Sequence, residues 1–189
     1  MNSHRKLCRS YNTPGEAHEL TFSCFHRLPL LSKDRSRQWF IVALDRARQR
    51  RDFLIWAYVI MPEHVHVIVW PRQPVYEIRL IRTALKIPVQ RKALAYLRCQ
   101  APEFLERLRD FQPNGEVHYR FWQRGGGYDR NIQEPNTLYT MMDYIHNNPV
   151  RRGLVSQATD WAWSIARFYA GAEDAALSMD SIVDFVGLG

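Results

Sequence analysis

Two β-rich runs separated by a proline constrain the fold of this chain most strongly. Residues 53–70 read FLIWAYVIMPEHVHVIVW, and branched or aromatic side chains fill both halves of the segment. Pro62 is unsuited to the middle of a central strand, because it lacks the backbone N–H that pairing requires. The segment is therefore predicted to be a β-hairpin that turns at Met61-Pro62-Glu63.

Strand-type alternation and helix-type spacing follow one another along the rest of the chain. The predicted elements are a strand at about Glu19–His26, a helix at Asp34–Arg51, the hairpin, a helix between Val75 and Arg109, a strand at about Val117–Gln123 and a helix at about Thr137–Asn147. Pro88 is predicted to kink or break the second helix.

This order predicts an α+β fold of the ferredoxin-like or RRM-like type, a split βαβ arrangement. We expect a four- to five-stranded antiparallel sheet with helices on one face, and a further helix that carries Tyr144. The predicted organisation is a flexible basic arm at residues 1–15, a single domain at 16–168 and an acidic C-terminal tail at 169–189.

Positive charge is concentrated in the body of the chain. The net charge is +7, yet all 26 Lys and Arg residues lie at or before Arg167 while four of the 19 acidic residues follow it, so residues 1–167 carry +11. The excess is almost entirely arginine, which makes bidentate contacts with phosphate and stacks on flat rings. A phosphate-rich partner is the leading hypothesis, and an ordinary soluble basic protein is the alternative.

The sequence argues against several classes of protein. It has no apolar run long enough to span a bilayer, and its N-terminus lacks the apolar stretch of a secretory signal, so we expect no membrane association. Cys8, Cys24 and Cys99 are too widely spaced for a CxxC motif or a disulfide framework. We therefore expect a cytoplasmic protein.

His64 and His66 stand two positions apart on a predicted strand, so both imidazoles point to the same face. Neutral imidazole is a common ligand of divalent transition metals, and such a pair needs only one or two further ligands. The alternative is that the two histidines are polar residues on a sheet surface.

Tyr144 and Asn148 lie four residues apart at the end of a predicted helix, so a phenol and an amide could reach one point. Tyrosine can act as a covalent nucleophile when a neighbouring charge or a polarised substrate assists it. Alternatively, Tyr144 packs in the core and the asparagines only end the helix. Tyr128 and Tyr139 are the competing tyrosines.

Three motifs together resemble the HUH single-tyrosine transposases (IS200-like), in the branch of the REP-associated tyrosine transposases. They are MPEHVHVIVWP, FWQ…GYDRNI and DYIHNNPVRRGLV, and they occur in the family's order between about Glu19 and Trp163. The resemblance implies that residues 16–168 form one HUH transposase domain. It also implies that His64-Val65-His66 is the HUH motif, that Tyr144 in YIxxNPV is the nucleophile, and that Asn148 completes a site for Mg²⁺ or Mn²⁺.

The activity implied by the resemblance is cleavage of single-stranded DNA and strand transfer in DNA transposition. Tyr144 would attack phosphorus, leaving a 5′-phosphotyrosine and a free 3′-hydroxyl, and the substrate would be a hairpin of repetitive palindromic DNA. Whether the chain acts as a monomer or a homodimer is left open, as is whether Tyr144 serves its own histidines or a partner's.

Single-stranded nucleic acid is generally held by cationic grooves with aromatic platforms. The residues expected to contact the strand lie around the triple glycine, beside the tyrosine helix, after the first strand and on the long helix: Arg120, Trp122, Arg124, Tyr128, Arg130, Arg151, Arg152, Arg27 and Lys86. Trp161 and Trp163 are expected in the core.

Two other classes of function remain open from the residues alone. One is a non-catalytic RRM-like nucleic-acid-binding protein, in which the histidines and the tyrosine are packing or stacking residues. The other is a metal-dependent phosphodiesterase that uses water as its nucleophile. The acidic tail is expected to pack on the body through its apolar residues Leu177, Ile182, Val183, Phe185 and Val186; the alternative is that its carboxylates shield part of the DNA groove.

Overall fold

The computed structural model describes residues 10–172, 176–182 and Phe185. In chain order its strands and α-helices are β1 (Ala17–Ser23), α1 (Asp34–Arg51), β2 (Phe53–Ile60), β3 (His64–Pro71), α2 (Ile78–Gln100), α3 (Pro102–Leu105), β4 (Arg109–Phe111), β5 (Val117–Tyr119), β6 (Tyr128–Ile132), α4 (Pro135–His146), α5 (Asn148–Arg151) and α6 (Ala166–Tyr169). Short 3₁₀ turns lie at Phe25–Arg27, Glu106–Leu108 and Ala158–Asp160.

The sheet is antiparallel, and its strand order is β2-β3-β1-β6. The predicted hairpin is confirmed, since β2 and β3 pair directly and turn at Met61-Pro62-Glu63. With one helix connecting β1 to β2 and another following β3, the topology is the ferredoxin-like arrangement that the sequence predicted.

Alternation along the strands separates two faces of the sheet. Phe22 of β1 lies opposite Val65 of β3, and its ring contacts that of Phe40 in α1 at 5.8 Å. His66 lies opposite Thr21 and points to the other face, where the ring of Tyr144 in α4 lies 5.7 Å away. Helices α1 and α2 therefore cover one face, and the tyrosine helix lies on the other.

The prediction of the fourth strand was wrong. The segment predicted at Val117–Gln123 is β5 only as far as Tyr119, and β5 pairs with β4 in a separate two-stranded sheet. The fourth strand of the main sheet is β6, after the glycines. Its sequence YDRNI lacks an apolar pattern because it is an edge strand, and Tyr128 and Arg130 are exposed.

Two predicted element ends were also displaced. The second helix is not broken at Pro88, which lies on its exposed side and removes one backbone hydrogen bond from the helix. It ends at Gln100 instead of Arg109. Strand β1 ends at Ser23 instead of His26, since the chain turns there and His26 adopts a left-handed φ of 51°.

Residues 10–15, the described part of the predicted flexible arm, are anchored to the body. The side-chain oxygen of Asn12 accepts a hydrogen bond from the backbone N–H of Ile78 and so caps the start of α2. The carbonyl of Thr13 accepts a hydrogen bond from the Tyr76 hydroxyl, and that of Gly15 from the Trp70 indole. These bonds hold the arm against the sheet and α2.

The outer edge of β2 is covered by C-terminal segments. The N–H of Ile60 donates to the carbonyl of Trp163, and the N–H of Ile165 donates to the carbonyl of Tyr58. Further along the same strand, the N–H of Ile55 donates to the carboxylate of Asp180 at 2.9 Å. The strand thus has hydrogen-bond partners at both ends of its outer edge.

Apolar residues of the tail pack on the body, as predicted. Leu177 is buried, and Ile182 and Phe185 pack against the core. The described tail lies at Ile55, the end of β2 away from His64, so it does not shield the histidines. The other tail residues of the prediction, Val183 and Val186 with Glu173, Asp174 and Asp184, lie outside the described residues. Trp161 and Trp163 pack against the core as expected.

No helix within the described residues has both the length and the apolar character needed to cross a membrane.

The three glycines at 125–127, directly before β6, allow a test of how closely the chain approaches β1. Gly127 has a φ of +79°, and an added Cβ would lie 2.2 Å from the carbonyl oxygen of Thr21, whereas Gly125, with a φ of +88°, has open space around it. We expect Gly127→Ala to cost about 3 kcal/mol or more of unfolding free energy, and Gly125→Ala about 1 kcal/mol. Urea denaturation of both variants checks this, and equal costs would contradict the close approach.

Candidate functional site

Each of the two histidines of β3 has a carboxylate near the same ring nitrogen, Nδ1. Nδ1 of His64 lies 3.2 Å from Oε1 of Glu63, and Nδ1 of His66 lies 3.4 Å from Oε1 of Glu19. Nδ1 of His66 also lies 2.8 Å from the hydroxyl of Thr21. A nearby carboxylate favours the proton on Nδ1, which leaves the lone pair of Nε2 free for a ligand.

Burial and the neighbouring His66 lower the pKa of His64 to about 4. His64 is therefore neutral at pH 7, in the protonation state that binds metals. The two rings are nearly perpendicular, with centroids 4.9 Å apart. The pair thus has the chemistry and spacing of two adjacent ligands on a rigid strand.

Tyr144 lies beside these histidines, with its ring 5.7 Å from that of His66. It lies on α4, whose Leu138, Met141, Met142 and Ile145 are buried against the sheet, and its own side chain remains 44% exposed. The alternative that Tyr144 is a core residue is therefore wrong. The competing Tyr139 is 45% exposed, and it is not among the residues that line the two openings at the histidines.

Asn148 begins α5 directly after the tyrosine helix, and it is 5% exposed. Together with the histidines and the tyrosine it lines one cleft, which we call the histidine cleft and which consists of Thr21, Ser23, Arg27, His64, His66, Tyr144, Asn148, Arg151 and Arg152. Within the described part of the chain, no group of three or more His, Cys, Asp or Glu residues could hold a metal. A metal here would have to be held by two imidazoles and an amide.

Arginines form the rim of the histidine cleft. The guanidinium carbon of Arg151 lies 3.7 Å from the ring centre of Tyr144, and its NH2 group donates to the Tyr144 carbonyl. Arg152 donates to Oε1 of Glu63 at 2.8 Å, the same oxygen that faces His64. Arg27 is exposed and lines the same cleft. Three of the arginines expected to bind DNA thus share a cleft with the histidines.

A second opening shares Thr21, His66 and Tyr144 with the histidine cleft. This side pocket has a volume of about 670 Å³ and is lined by Glu19, Thr21, His66, Tyr128, Arg130, Asn136, Thr137, Thr140, Met141 and Tyr144. Tyr128 and Arg130 of the predicted DNA-contacting set lie here, and the side chain of Tyr128 is 48% exposed.

The remaining predicted contacts line a third depression, the basic groove between α2 and the glycine loop. Its lining residues are Arg79, Arg82, Thr83, Lys86, Ile87, Gln90, Arg120, Trp122, Gln123, Arg124, Gly125 and Gly126.

Two of the arginines predicted to contact DNA in the basic groove form ion pairs within the protein. Arg120 and Arg124 both bind the carboxylate of Asp110, which holds the pKa of that carboxyl far below its usual range. The ion pairs fix the positions of Arg120 and Arg124, and some of their N–H donors are already used by Asp110, which leaves fewer for a phosphate.

Trp122 is 3% exposed, and its ring packs edge-on against Phe22 at 5.2 Å. Its indole N–H donates to the carbonyl of Lys86. The expectation that Trp122 stacks on a base is therefore corrected: the residue supports the wall of the basic groove from inside the core.

Sequence reasoning missed the residues that orient the histidines. Glu63 could have been noticed, since it directly precedes His64 in the turn of the hairpin. Glu19 and Thr21 could be assigned only with the pairing of β1 against β3, which places Thr21 opposite His66. Nothing in the local sequence signals that register.

The structure thus combines a ferredoxin-like sheet, two same-face histidines on a strand and a tyrosine helix beside them, which are the features that the resemblance to the HUH single-tyrosine transposases implied. No family model matches the sequence. The chain is 27% identical over 110 residues to a Haemophilus influenzae protein named "Putative REP-associated tyrosine transposase", a stretch covering 57% of this chain and 56% of that protein. The chain thus matches about half the length of this curated relative.

The fold is similar to that of a solved REP-associated tyrosine transposase, described as bound to a REP hairpin. The TM-score is 0.64 at 23% sequence identity, and the likeness covers 95% of this chain and 93% of the other. The curated relative therefore confirms the resemblance to REP-associated tyrosine transposases that the motifs indicated, and the solved structure supports the fold.

The basic groove generates a pH-dependent prediction. Burial, together with Arg82 and Arg120, lowers the pKa of Lys86 to about 8 from an ordinary value of 10.5. Between these pH values the unfolded chain keeps a proton that the folded chain has released, so this residue makes stability rise with pH. We expect Lys86→Met to lose that rise, measured by urea unfolding at pH 7.5 and 9.5 and compared with wild type. Identical pH dependence in the two proteins would contradict it.

Proposed function

We propose that this protein is an enzyme that cleaves and rejoins single-stranded DNA, a tyrosine transposase of the REP-associated type that acts on hairpin DNA. The observation that carries the proposal is the position of Tyr144, whose ring lies 5.7 Å from that of His66 in a cleft shared with His64 and Asn148. The likeness to a named REP-associated tyrosine transposase, and to the fold of one bound to a REP hairpin, supports the same activity.

The donor set fits a divalent metal, because both histidines are oriented through Nδ1 and His64 is neutral. His64 and His66 would bind Mg²⁺ or Mn²⁺ through Nε2, with the amide oxygen of Asn148 as a third ligand. When bound, the metal polarises the scissile phosphate and neutralises part of its charge.

The arginines of the cleft would hold the phosphate from the other side. Arg27 and Arg152 offer planar guanidinium groups at the rim, a geometry that matches phosphate oxygens. Arg151 stacks on the ring of Tyr144 and donates to its carbonyl, so it orients the nucleophile and keeps a positive charge beside it. Positioning and charge, more than a strong base, would then assist the attack.

In the reaction the phenolic oxygen of Tyr144 forms a bond to phosphorus, and the bond from phosphorus to the 3′ oxygen of the upstream nucleotide breaks. The phenol loses its proton, the leaving oxygen gains one, and a free 3′-hydroxyl and a 5′-phosphotyrosine result. One phosphodiester replaces another, so no nucleotide cofactor is required. Attack of the same or another 3′-hydroxyl on the phosphotyrosine reverses the step or joins a new strand.

The path of the DNA would continue from the histidine cleft to the basic groove. The loop after β1 and the glycine loop are joined, since Gln123 donates its N–H to the carbonyl of Ser23 and accepts from the N–H of His26. Arg27, which lines the histidine cleft, and Arg124, which lines the basic groove, thus lie on two hydrogen-bonded loops. A hairpin stem would lie across these loops, with Lys86, Arg120 and Arg124 near its phosphates.

An RRM-like binding module is the less favoured function. Such modules bind RNA on an open sheet face with exposed aromatic residues. Here α4 packs on the face that carries His66, through buried Leu138, Met142 and Ile145. The sheet therefore has only clefts beside that helix instead of an open platform.

The nucleophile can be tested directly. Wild-type protein incubated with labelled hairpin DNA and Mn²⁺ is expected to form a protein–DNA adduct that survives denaturant. Tyr144→Phe should abolish the adduct and lower cleavage by about a thousandfold or more, because the phenolic oxygen is the attacking atom. Tyr139→Phe, which alters an exposed tyrosine on the same helix, is the matched control and should behave as wild type. Cleavage retained by Tyr144→Phe would favour water as nucleophile and refute the proposal.

The metal site can be tested without the reaction. Calorimetric titration of DNA-free protein with Mn²⁺ should show binding in wild type and none in the double variant His64→Ala/His66→Ala. In EDTA, the hairpin affinity of this variant should change by no more than about twofold, because the arginines that contact phosphate remain. His118→Ala, at an exposed histidine of β5, is the control. Undiminished Mn²⁺ binding by the double variant would refute this site.

A further inference from the structure

The side pocket contains a buried carboxylate that takes no direct part in the proposed reaction. Glu19 is 6% exposed and lines the pocket. Its Oε1 faces His66 at 3.4 Å, beyond a close hydrogen bond, and His66 already has the hydroxyl of Thr21 at 2.8 Å. Among the described residues, Oε2 of Glu19 has no hydrogen-bond partner. A nearly buried acceptor is therefore available to a ligand in this pocket.

The charge of Glu19 decides which part of a DNA strand could enter the pocket. A phosphate would be repelled by the carboxylate, whereas a base can donate N–H groups to it. The pocket opens beside Tyr144, the residue that would meet the scissile phosphate, so the base would belong to a nucleotide flanking the cut. Its volume of about 670 Å³ lies within the range of small-molecule sites.

The walls of the pocket suit a flat heterocycle. The Tyr128 side chain is 48% exposed on β6 and presents a ring on which a base can stack. Thr137, Thr140 and Asn136 at the start of α4 add hydroxyl and amide groups, and Met141 adds an apolar contact. Arg130 is exposed at the same strand and can meet the phosphate that follows the base.

We infer that the side pocket binds one unpaired base of the DNA strand, stacked on Tyr128 and held by the carboxylate of Glu19, with guanine preferred. Guanine presents N1–H and its amino group side by side, so both donors can meet a carboxylate. Adenine and cytosine place an acceptor nitrogen next to the amino group, and thymine has no amino group. Glu19 thereby becomes the specificity-determining residue, and Tyr128 contributes affinity for any base. This inference rests on the proposed function, because it takes DNA to be the ligand.

Binding in EDTA tests the pocket without cleavage. The probes are fluorescein-labelled eight-nucleotide thymidylate and the same strand with one central dG, dA or dC, and fluorescence anisotropy gives the dissociation constants. Wild type is expected to bind the dG strand roughly tenfold more tightly than the all-thymidine strand, as for one bidentate base contact. Equal affinities for the four strands would overturn the inference without any variant.

Variants assign the effect to the two residues. Glu19→Gln should reduce the ratio of dG-strand to all-thymidine affinity to within about twofold, because one acceptor is replaced by a donor. Tyr128→Ala should weaken all four strands by about fivefold or more, and Tyr128→Phe should retain their affinities, since stacking needs the ring alone. Glu103→Gln, at an exposed carboxylate on α3, is the control. A dG preference that persists in Glu19→Gln, with an unchanged thermal melt, would overturn the role of Glu19.

The two proposals fail separately. A covalent Tyr144 adduct with no preference for dG would refute the base pocket and leave the transposase chemistry. A dG preference that depends on Glu19, with no adduct under Mg²⁺ or Mn²⁺, would refute the chemistry and support the pocket.

Discussion

The antiparallel pairing of β1 with β3 is the constraint on which the site depends. Because side chains alternate along each strand, the pairing of Thr21 with His66 and of Ser23 with His64 fixes which groups face the tyrosine helix. A slip of one residue would turn both histidines into the layer of α1 and α2 and bring valines to the cleft. Core packing, through Phe22 against Phe40, therefore also sets the register of the functional groups.

Two carboxylates lie beside the histidines that this strand pairing positions. Glu63 faces both His64 and Arg152, so a residue in the hairpin turn links a metal-ligand candidate to an arginine after the tyrosine helix. Glu19 faces His66 from the neighbouring strand. Residues 1–167 carry a net charge of +11, so acidic side chains are outnumbered there. Glu19 and Glu63 offset part of that positive charge beside the two histidines.

The parts that the sequence predicted are those with a local cause. The hairpin follows from one proline between two β-rich runs, the shared face of the histidines from strand alternation, and the proximity of Tyr144 to Asn148 from helical spacing. The fourth strand was misplaced because YDRNI has no hydrophobic pattern, and it is held by pairing with a segment more than 100 residues earlier in the chain. The position of Glu19 beside His66 and the burial of Trp122 also result from contacts between distant parts of the chain, which residue spacing does not encode.

The hydrogen bonds that the C-terminal segments make to β2 have a consequence for association between molecules. The sequence IWAYVI of β2 is apolar and lies at a sheet edge, the kind of strand that invites pairing with another chain. Trp163, Ile165 and Asp180 occupy that edge, and the carboxylate of Asp180 adds a charge to it. These C-terminal segments therefore oppose edge-to-edge pairing with another chain, and assembly through β2 would first require their displacement.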